Sequence, residues 1–183
     1  SDLRKAFAPL VEKVSFASFG DMDSLRSVID EDTAFIILEP IQGESGIIVA
    51  PDGFLQEVRK LCNEKGILLI FDEIQAGLGR TGRLWAGEHW NTVPDILCLA
   101  KGIAGGVPMG ATLVRPDILA AISKGEHSST FGGNPISCAA GIAALKSITE
   151  DGLIENSKKM GEMFREGLEK LKDKHTMIRD IRG

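Results

Sequence analysis

The sequence is poor in cysteine, lacks long apolar runs and has no excess of basic residues. Its three cysteines, Cys62, Cys98 and Cys138, show no C-x-x-C spacing, so neither a disulfide framework nor a metal site is indicated. Reduced thiols favour a cytoplasmic location. With 26 acidic and 21 basic residues, the net charge of -5 argues against nucleic acid and anionic membranes as partners. We also expect no membrane span, which needs roughly 18 apolar residues, and no secretory signal.

Three short apolar runs predict the strands of an α/β fold. They cover residues 34–38, 67–71 and 96–100, and they lack strict alternation, which is typical of parallel strands buried on both faces. Between the first two runs, the apolar side chains of residues 54–62 fall on one helical face, and Gly66 suits the C-terminal cap. Strand, helix and strand in this order predict a βαβ unit.

Each apolar run is followed at once by an ionisable residue: Glu39, Asp72 and Lys101. The carboxyl ends of parallel strands lie at one edge of a sheet, where ligands bind, so these three residues are predicted to share a crevice. The Lys101 amine, desolvated at the end of an apolar strand, would have a lowered pKa and suit a Schiff base. The alternatives are a lysine that extends to solvent and an Asp72 that only stabilises a turn.

The second half of the sequence predicts a short strand over residues 110–114, a polar loop over 127–133 and two helices. Asn134 and Pro135 suit the start of the first helix. Hydroxyls and backbone N–H groups in the polar loop could bind a phosphate, although a simple turn explains the same residues.

Residues 77–82 match the pattern G-x-G-x-x-G of dinucleotide-binding loops. Five residues separate the preceding strand from the first glycine, no clear helix follows, and the next strand ends in lysine rather than an acid. A plain glycine-rich loop is therefore favoured. A nucleotide-binding oxidoreductase that uses this loop is the alternative.

Four motifs follow one another along the chain: Glu39-Pro40-Ile41-Gln42-Gly43-Glu44, Phe71-Asp72-Glu73-Ile74-Gln75 with Gly77 and Gly79 to Gly82, Leu99-Ala100-Lys101-Gly102, and Ser129 to Pro135. In order and spacing they resemble the class III pyridoxal-phosphate aminotransferases, and the resemblance covers nearly the whole chain. It implies an α/β fold, the incomplete large domain of a fold-type-I transferase, over residues 1–150. Residues 151–183 would form a connecting helix and the start of a small C-terminal domain.

The resemblance implies that Lys101 and Asp72 are the catalytic residues and that pyridoxal 5'-phosphate is the cofactor. Lys101 would hold the cofactor as a Schiff base and then transfer the proton between the substrate carbon and the cofactor. Asp72 would keep the pyridine nitrogen protonated.

Further cofactor contacts are implied for Ile74, Gln75, Ser129 and Thr130. Ile74 would pack on the ring, Gln75 would bond its phenolic oxygen, and Thr130 would reach the phosphate bound to a neighbouring subunit, which requires a homodimer. Glu44 would belong to the substrate-binding residues. It would pair with an arginine from the C-terminal domain and shield it while the ω-amine donor is processed, and the arginine would be freed for 2-oxoglutarate.

The implied reaction moves an amino group from an ω-amino donor of the acetylornithine, ornithine or 4-aminobutyrate type to 2-oxoglutarate. Family residues expected before Ser1 and after Gly183 are absent, so the chain alone is not expected to turn over substrate. A non-catalytic, dimerising fragment is a second alternative.

Overall fold

The computed structural model describes residues 5–183, which form an α/β fold with helices packed on a mostly parallel sheet. The strands are β1 (Phe35–Leu38), β2 (Ile41–Gln42), β3 (Ile48–Val49), β4 (Leu68–Asp72), β5 (Ile96–Leu99) and β6 (Ala111–Val114). The helices are α1 (Met22–Ser27), α2 (Phe54–Lys65), α3 (Pro116–Leu119), α4 (Pro135–Glu150) and α5 (Leu153–Lys172), with 3-10 turns at Ala86–Trp90 and Lys101–Ala104.

The main sheet has the order β1-β4-β5-β6. β1, β4 and β5 are mutually parallel, and β6 runs antiparallel to β5. Strands β2 and β3 form a separate antiparallel hairpin after β1. The predicted strands and their parallel arrangement are confirmed, with ends that differ by a residue.

The core lies between α2 and one face of the sheet. Leu69 and Phe71 of β4 are fully buried there and belong to one apolar cluster with the inward face of α2. Phe35 and Ile37 of β1 point to the opposite face and are 52% and 55% exposed. The expectation that the strands are buried on both faces is wrong for β1, because the core covers only one of its faces.

The predicted helix ends are confirmed. Gly66 adopts a left-handed conformation with φ of 69° after α2, and its N–H donates to the carbonyl of Cys62. Asn134 caps α4, since its side chain accepts hydrogen bonds from the N–H groups of Ile136 and Ser137. Pro135 is the first helical residue, where its missing N–H costs nothing.

The buried Asp95 carboxylate stabilises the amino-terminal edge of the sheet. It accepts hydrogen bonds from the N–H of Leu69 at 2.8 Å, from Arg59 at 2.8 Å and from Arg115 at 2.5 Å. The N–H of Asp95 in turn donates to the carbonyl of Leu69 at 2.8 Å. This cluster, which the sequence did not predict, lies at the opposite end of the strands from Asp72.

The glycine-rich loop over residues 77–82 packs against α5, and no helix begins at its glycines. A Cβ added to Gly79 would lie 3.3 Å from Ile154, and one added to Gly82 would lie 2.8 Å from the Cβ of Lys158. The Ser157 hydroxyl of α5 also donates to the carbonyl of Arg80 at 3.1 Å. The prediction of a plain loop is confirmed, since these two glycines permit close contact with a helix.

Candidate active site at the carboxyl edge of the sheet

The three ionisable residues predicted to cluster all follow parallel neighbouring strands. Glu39 follows β1, Asp72 ends β4, and Lys101 follows β5. Asp72 is paired in register with Cys98, and Lys101 comes three residues after Cys98. The fold therefore brings the backbone of all three residues to one edge of the sheet.

Asp72 is half-buried and has one carboxylate oxygen that is not used within the fold. Its Oδ1 accepts a hydrogen bond from the N–H of Ile74 at 3.0 Å. Its Oδ2 makes no hydrogen bond within residues 5–183. Burial and, secondarily, the Asp72 charge raise the pKa of the neighbouring Cys98 thiol. Asp72 can therefore accept a proton or a hydrogen bond from a bound ligand.

Lys101 adopts a left-handed backbone conformation, with φ of 49°, that residues other than glycine rarely adopt. Its side chain is exposed and makes no hydrogen bond or ion pair with the described residues. The expected desolvation of this amine is wrong for this chain, because Lys101 begins a 3-10 turn beyond β5 instead of ending the strand. The amine is available to a ligand.

Gln75 and Glu44, predicted to contact cofactor and substrate, are joined directly. The Gln75 Nε2 donates to Glu44 Oε1 at 2.8 Å. Gly43 allows this contact, since an added Cβ would lie 2.0 Å from the Gln75 Oε1. The backbone of Gly43 is held by Glu39, whose Oε2 accepts its N–H at 3.0 Å. The predicted site residue Glu39 therefore stabilises the turn that carries Glu44.

Gln75 and Gly43 open on a cleft of about 1020 Å³. The β2–β3 hairpin, α5 and residues 181–183 form its other walls. Gln75 thus lies where a small molecule can enter from the surface, whereas Glu44, Asp72 and Lys101 do not line this cleft.

Ser129 and Thr130 are exposed on a loop before α4. Ser129 lines a second cleft of about 530 Å³ together with Gly132, Asn134 and neighbouring residues. Neither Asp72 nor Lys101 lines this cleft. Of the two predicted phosphate-binding residues, only Ser129 lines this cleft.

Sequence reasoning assigned no role to Glu73, which is only 1% exposed. Its carboxylate accepts hydrogen bonds from the N–H groups of Ala86 at 2.7 Å and Gly87 at 2.8 Å. Burial raises the pKa of this carboxyl, and the two hydrogen bonds partly oppose the shift. The available signal was an acid directly after a buried strand and next to Asp72.

The fold and this edge of the sheet define an α/β protein of the fold-type-I transferase class. The chain belongs to the class III aminotransferases, whose family pattern matches residues 5–183. Members of this family depend on pyridoxal phosphate. Among residues 5–183, none of the helices has the length and apolar character of a membrane span.

Curated relatives at similar identity carry two enzyme names. The acetylornithine aminotransferase of Methanopyrus kandleri is 45% identical over 182 residues, which cover 100% of this chain and 46% of that protein. Ornithine aminotransferase 1 of Staphylococcus saprophyticus is 45% identical over 181 residues, covering 98% of this chain and 45% of that protein. The chain thus spans less than half the length of these relatives.

Solved structures give the same result. An ornithine aminotransferase from Toxoplasma gondii, with pyridoxal phosphate at partial occupancy in its active site, has a TM-score of 0.95 and 39% identity. The match covers 100% of this chain and 43% of the other. The acetylornithine aminotransferase of Elizabethkingia anophelis has a TM-score of 0.84 and 41% identity, covering 90% of this chain and 42% of the other.

Proposed function

We propose that the full-length protein transfers an amino group from acetylornithine or ornithine to 2-oxoglutarate with pyridoxal phosphate as cofactor. The names of the relatives favour these donors over 4-aminobutyrate. The observation that carries the proposal is the placement of Asp72 and Lys101 beyond adjacent parallel strands, with Asp72 Oδ2 and the Lys101 amine unused within the described residues. A carboxylate and an amine at one sheet edge fit the ring nitrogen and the carbonyl of this cofactor.

When bound, pyridoxal phosphate supplies an electron sink for a carbanion at the substrate carbon. Lys101 would hold the cofactor through its Nζ and, once replaced by substrate, would accept and return a proton at that atom. Asp72 would hold a proton on the cofactor's ring nitrogen through its Oδ2. The existing bond from the Ile74 N–H to Oδ1 supports this role, since it fixes the carboxylate and leaves the second oxygen for the ligand.

Gln75 would donate to the cofactor's phenolic oxygen, and Ile74 would pack on the ring face. The amide Nε2 of Gln75 carries two hydrogens, so it can bond to Glu44 and to a ligand together. In the same arrangement, Glu44 would contact the substrate and pair with an arginine of the C-terminal domain. The cleft that opens beside Gln75 supports this proposal.

We also propose a homodimer in which Ser129 and Thr130 bind the phosphate of the cofactor held by the neighbouring subunit. Both residues are exposed on the surface of the chain, where a neighbouring subunit can reach them. Adjacent apolar side chains support a contact surface there, since Phe131 is 82% exposed and Ile136 is 74% exposed.

For the organisation of the chain, we propose that residues 1–150 belong to the large, cofactor-binding domain. Residues 151–183 would form a connecting helix and the beginning of a C-terminal domain. The position of α5 against the loop over residues 77–82 supports a helix that leaves the large domain while staying packed on it. Three free cysteines support a reducing compartment such as the cytoplasm.

Borohydride reduction of the full-length protein with pyridoxal phosphate tests the proposal. We expect a stable adduct on Lys101, located by mass spectrometry of peptides, and its loss in Lys101→Ala. Lys170→Ala, which removes an exposed lysine in the last turn of α5, is the control and should keep the adduct. Adducts scattered over surface lysines would contradict the proposal.

The amino donor is tested by single half-reactions. Acetylornithine, ornithine and 4-aminobutyrate are each added to the loaded full-length protein, and conversion of the cofactor to its amine form is followed by absorbance. We expect acetylornithine or ornithine to react fastest, and 2-oxoglutarate to restore the starting spectrum. A faster reaction with 4-aminobutyrate would overturn the donor assignment.

A further inference from the structure

Glu73 is a buried acid next to the candidate catalytic residue Asp72. Each of its carboxylate oxygens accepts one backbone hydrogen bond: Oε2 from Ala86 and Oε1 from Gly87. Burying a carboxylate is costly unless hydrogen bonds replace its hydration. Both acceptor atoms therefore hold the first residues of the 3-10 turn Ala86–Trp90.

Two glycines, Gly77 and Gly87, leave the space that the packing around this carboxylate requires. A Cβ added to Gly77 would lie 3.0 Å from the Oε2 of Glu73 and 2.9 Å from its backbone oxygen. A Cβ added to Gly87 would lie 2.8 Å from the ring of Phe71. Gly77 thus has a different role from Gly79 and Gly82, since it permits the buried carboxylate to occupy its place.

The main chain of Glu73 is held equally well. Its N–H donates to the carbonyl of Cys98 in β5 at 3.0 Å, and its carbonyl accepts the N–H of Gly77 at 3.0 Å. The bond between Asp72 Oδ1 and the N–H of Ile74 spans this residue. The direction of the Asp72 carboxylate therefore depends on the backbone conformation that Glu73 fixes.

We propose that Glu73 is a positioning residue for cofactor binding. By fixing the turn over residues 72–75 to the 3-10 turn Ala86–Trp90, it orients the Asp72 carboxylate and the Gln75 amide toward the cofactor. This inference rests on the proposed function. It adds a residue that touches neither cofactor nor substrate but sets the geometry of two that do.

Asp95 is a matched control for a purely structural role. It is also a buried carboxylate, 5% exposed, and it also accepts a backbone hydrogen bond, from Leu69. It lies at the start of β5, whereas Glu73 follows the end of β4. Asp95→Asn should therefore weaken the fold without reorienting Asp72.

Two variants perturb Glu73 in different ways. Glu73→Gln keeps the shape but turns one acceptor oxygen into an NH2 group that faces a backbone N–H. Gly77→Ala keeps the carboxylate and displaces it, because the added methyl group meets Oε2 and the backbone oxygen. If Glu73→Gln does not fold, Gly77→Ala decides the test.

The full-length protein is used for all measurements: pyridoxal phosphate affinity, the midpoint of the pH titration of the bound cofactor's visible absorption, kcat and KM. We expect both Glu73→Gln and Gly77→Ala to weaken cofactor binding and lower kcat by roughly tenfold to hundredfold, since small misplacements of reacting groups have effects of that size. The titration midpoint should shift in both variants, because Asp72 no longer faces the ring nitrogen correctly. Asp95→Asn should leave the cofactor affinity within about twofold of the wild-type value and should not shift the titration midpoint, as expected for a change remote from the site.

The positioning role is overturned if Glu73→Gln and Gly77→Ala bind and titrate the cofactor like wild type. It is equally overturned if Asp95→Asn shifts affinity and midpoint as much as they do, since Glu73 would then only stabilise the fold. A wild-type protein that binds no pyridoxal phosphate gives a different result: it overturns the proposed function, and this inference with it.

Discussion

Gln75 and Glu44 are joined by a hydrogen bond of 2.8 Å between amide nitrogen and carboxylate oxygen, across 31 residues of sequence. The resemblance to the family gave these residues separate roles, one toward the cofactor and one toward the substrate. In the fold they form one hydrogen-bonded unit, and the Gln75 side chain packs directly against the backbone of Gly43. A change that moves the Gln75 amide should therefore also release Glu44.

Gly43→Ala is expected to break this unit. The new Cβ would lie 2.0 Å from the Oε1 and 2.5 Å from the Cδ of Gln75, so the flexible amide must move away from Glu44. We expect the free energy of unfolding to change by less than about 1 kcal/mol, because an exposed hydrogen bond contributes about that much. Cofactor affinity should fall several-fold, measured by titration of the full-length protein with pyridoxal phosphate.

Gly167→Ala is the control for this substitution. Gly167 lies within α5, and an added Cβ there meets nothing within 4 Å. Alanine should stabilise the helix by roughly 0.5–1 kcal/mol and leave cofactor affinity unchanged. Equal affinity of Gly43→Ala and wild type would show that the amide position is unimportant for binding.

The left-handed backbone of Lys101 gives a second prediction. Because φ is 49° at this residue, glycine fits the position better than any residue with a Cβ. Lys101→Gly should be more stable than Lys101→Ala by about 1 kcal/mol in urea unfolding of the cofactor-free, full-length protein.

The same pair of substitutions at Lys146 should give the opposite order. Lys146 is exposed in the interior of α4, where glycine is about 1 kcal/mol less stable than alanine. If alanine were the more stable residue at both positions, the backbone of Lys101 would not be strained in solution.

The strands, the helix caps and the sheet edge were predictable because their signals are local. Apolar runs mark β1, β4 and β5, and Asn134 and Gly66 mark helix ends through bonds to residues only two to four positions away. Asp72 and Lys101 could be placed together because parallel strands present their carboxyl ends at one edge.

The partners of buried charges were not predictable, since their spacing follows no period. Asp95 meets Arg59 across 36 residues, and Glu73 meets Ala86 across 13 residues. Exposure was also misjudged at Lys101, because a strand-end position does not show whether the chain continues as a strand or turns outward. These features depend on packing between distant segments.

The thiol of Cys62 should be inert in the folded protein. Cys62 is fully buried, and burial raises the pKa of its thiol to about 11. Since the thiolate is the reactive form, iodoacetamide at pH 8 should label Cys62 only after unfolding in urea. The half-buried Cys138 is the internal control and should react first in the folded protein, as measured by peptide mass spectrometry. Labelling of both at the same rate would contradict the buried position.

The free energy of unfolding should depend on pH through the buried carboxyl of Glu73. Burial raises the pKa of its carboxyl above the ordinary value of 4.5, while hydrogen bonds from Gly87 and Ala86 oppose the shift. The folded state therefore binds this proton more tightly than the unfolded state. The free energy of unfolding must then fall as pH rises from about 4.5 through the raised pKa, because the folded state loses its excess proton in that range.

Glu73→Gln removes this proton site, so the wild-type free energy of unfolding minus that of the variant should decrease with rising pH across the same window. Outside the window the difference should be constant. Urea unfolding of the cofactor-free, full-length protein at a series of pH values measures it, with Glu169→Gln in α5 reporting the same change of charge at an exposed position. A difference that rises with pH would mean that the two backbone hydrogen bonds outweigh burial and hold the carboxylate ionised.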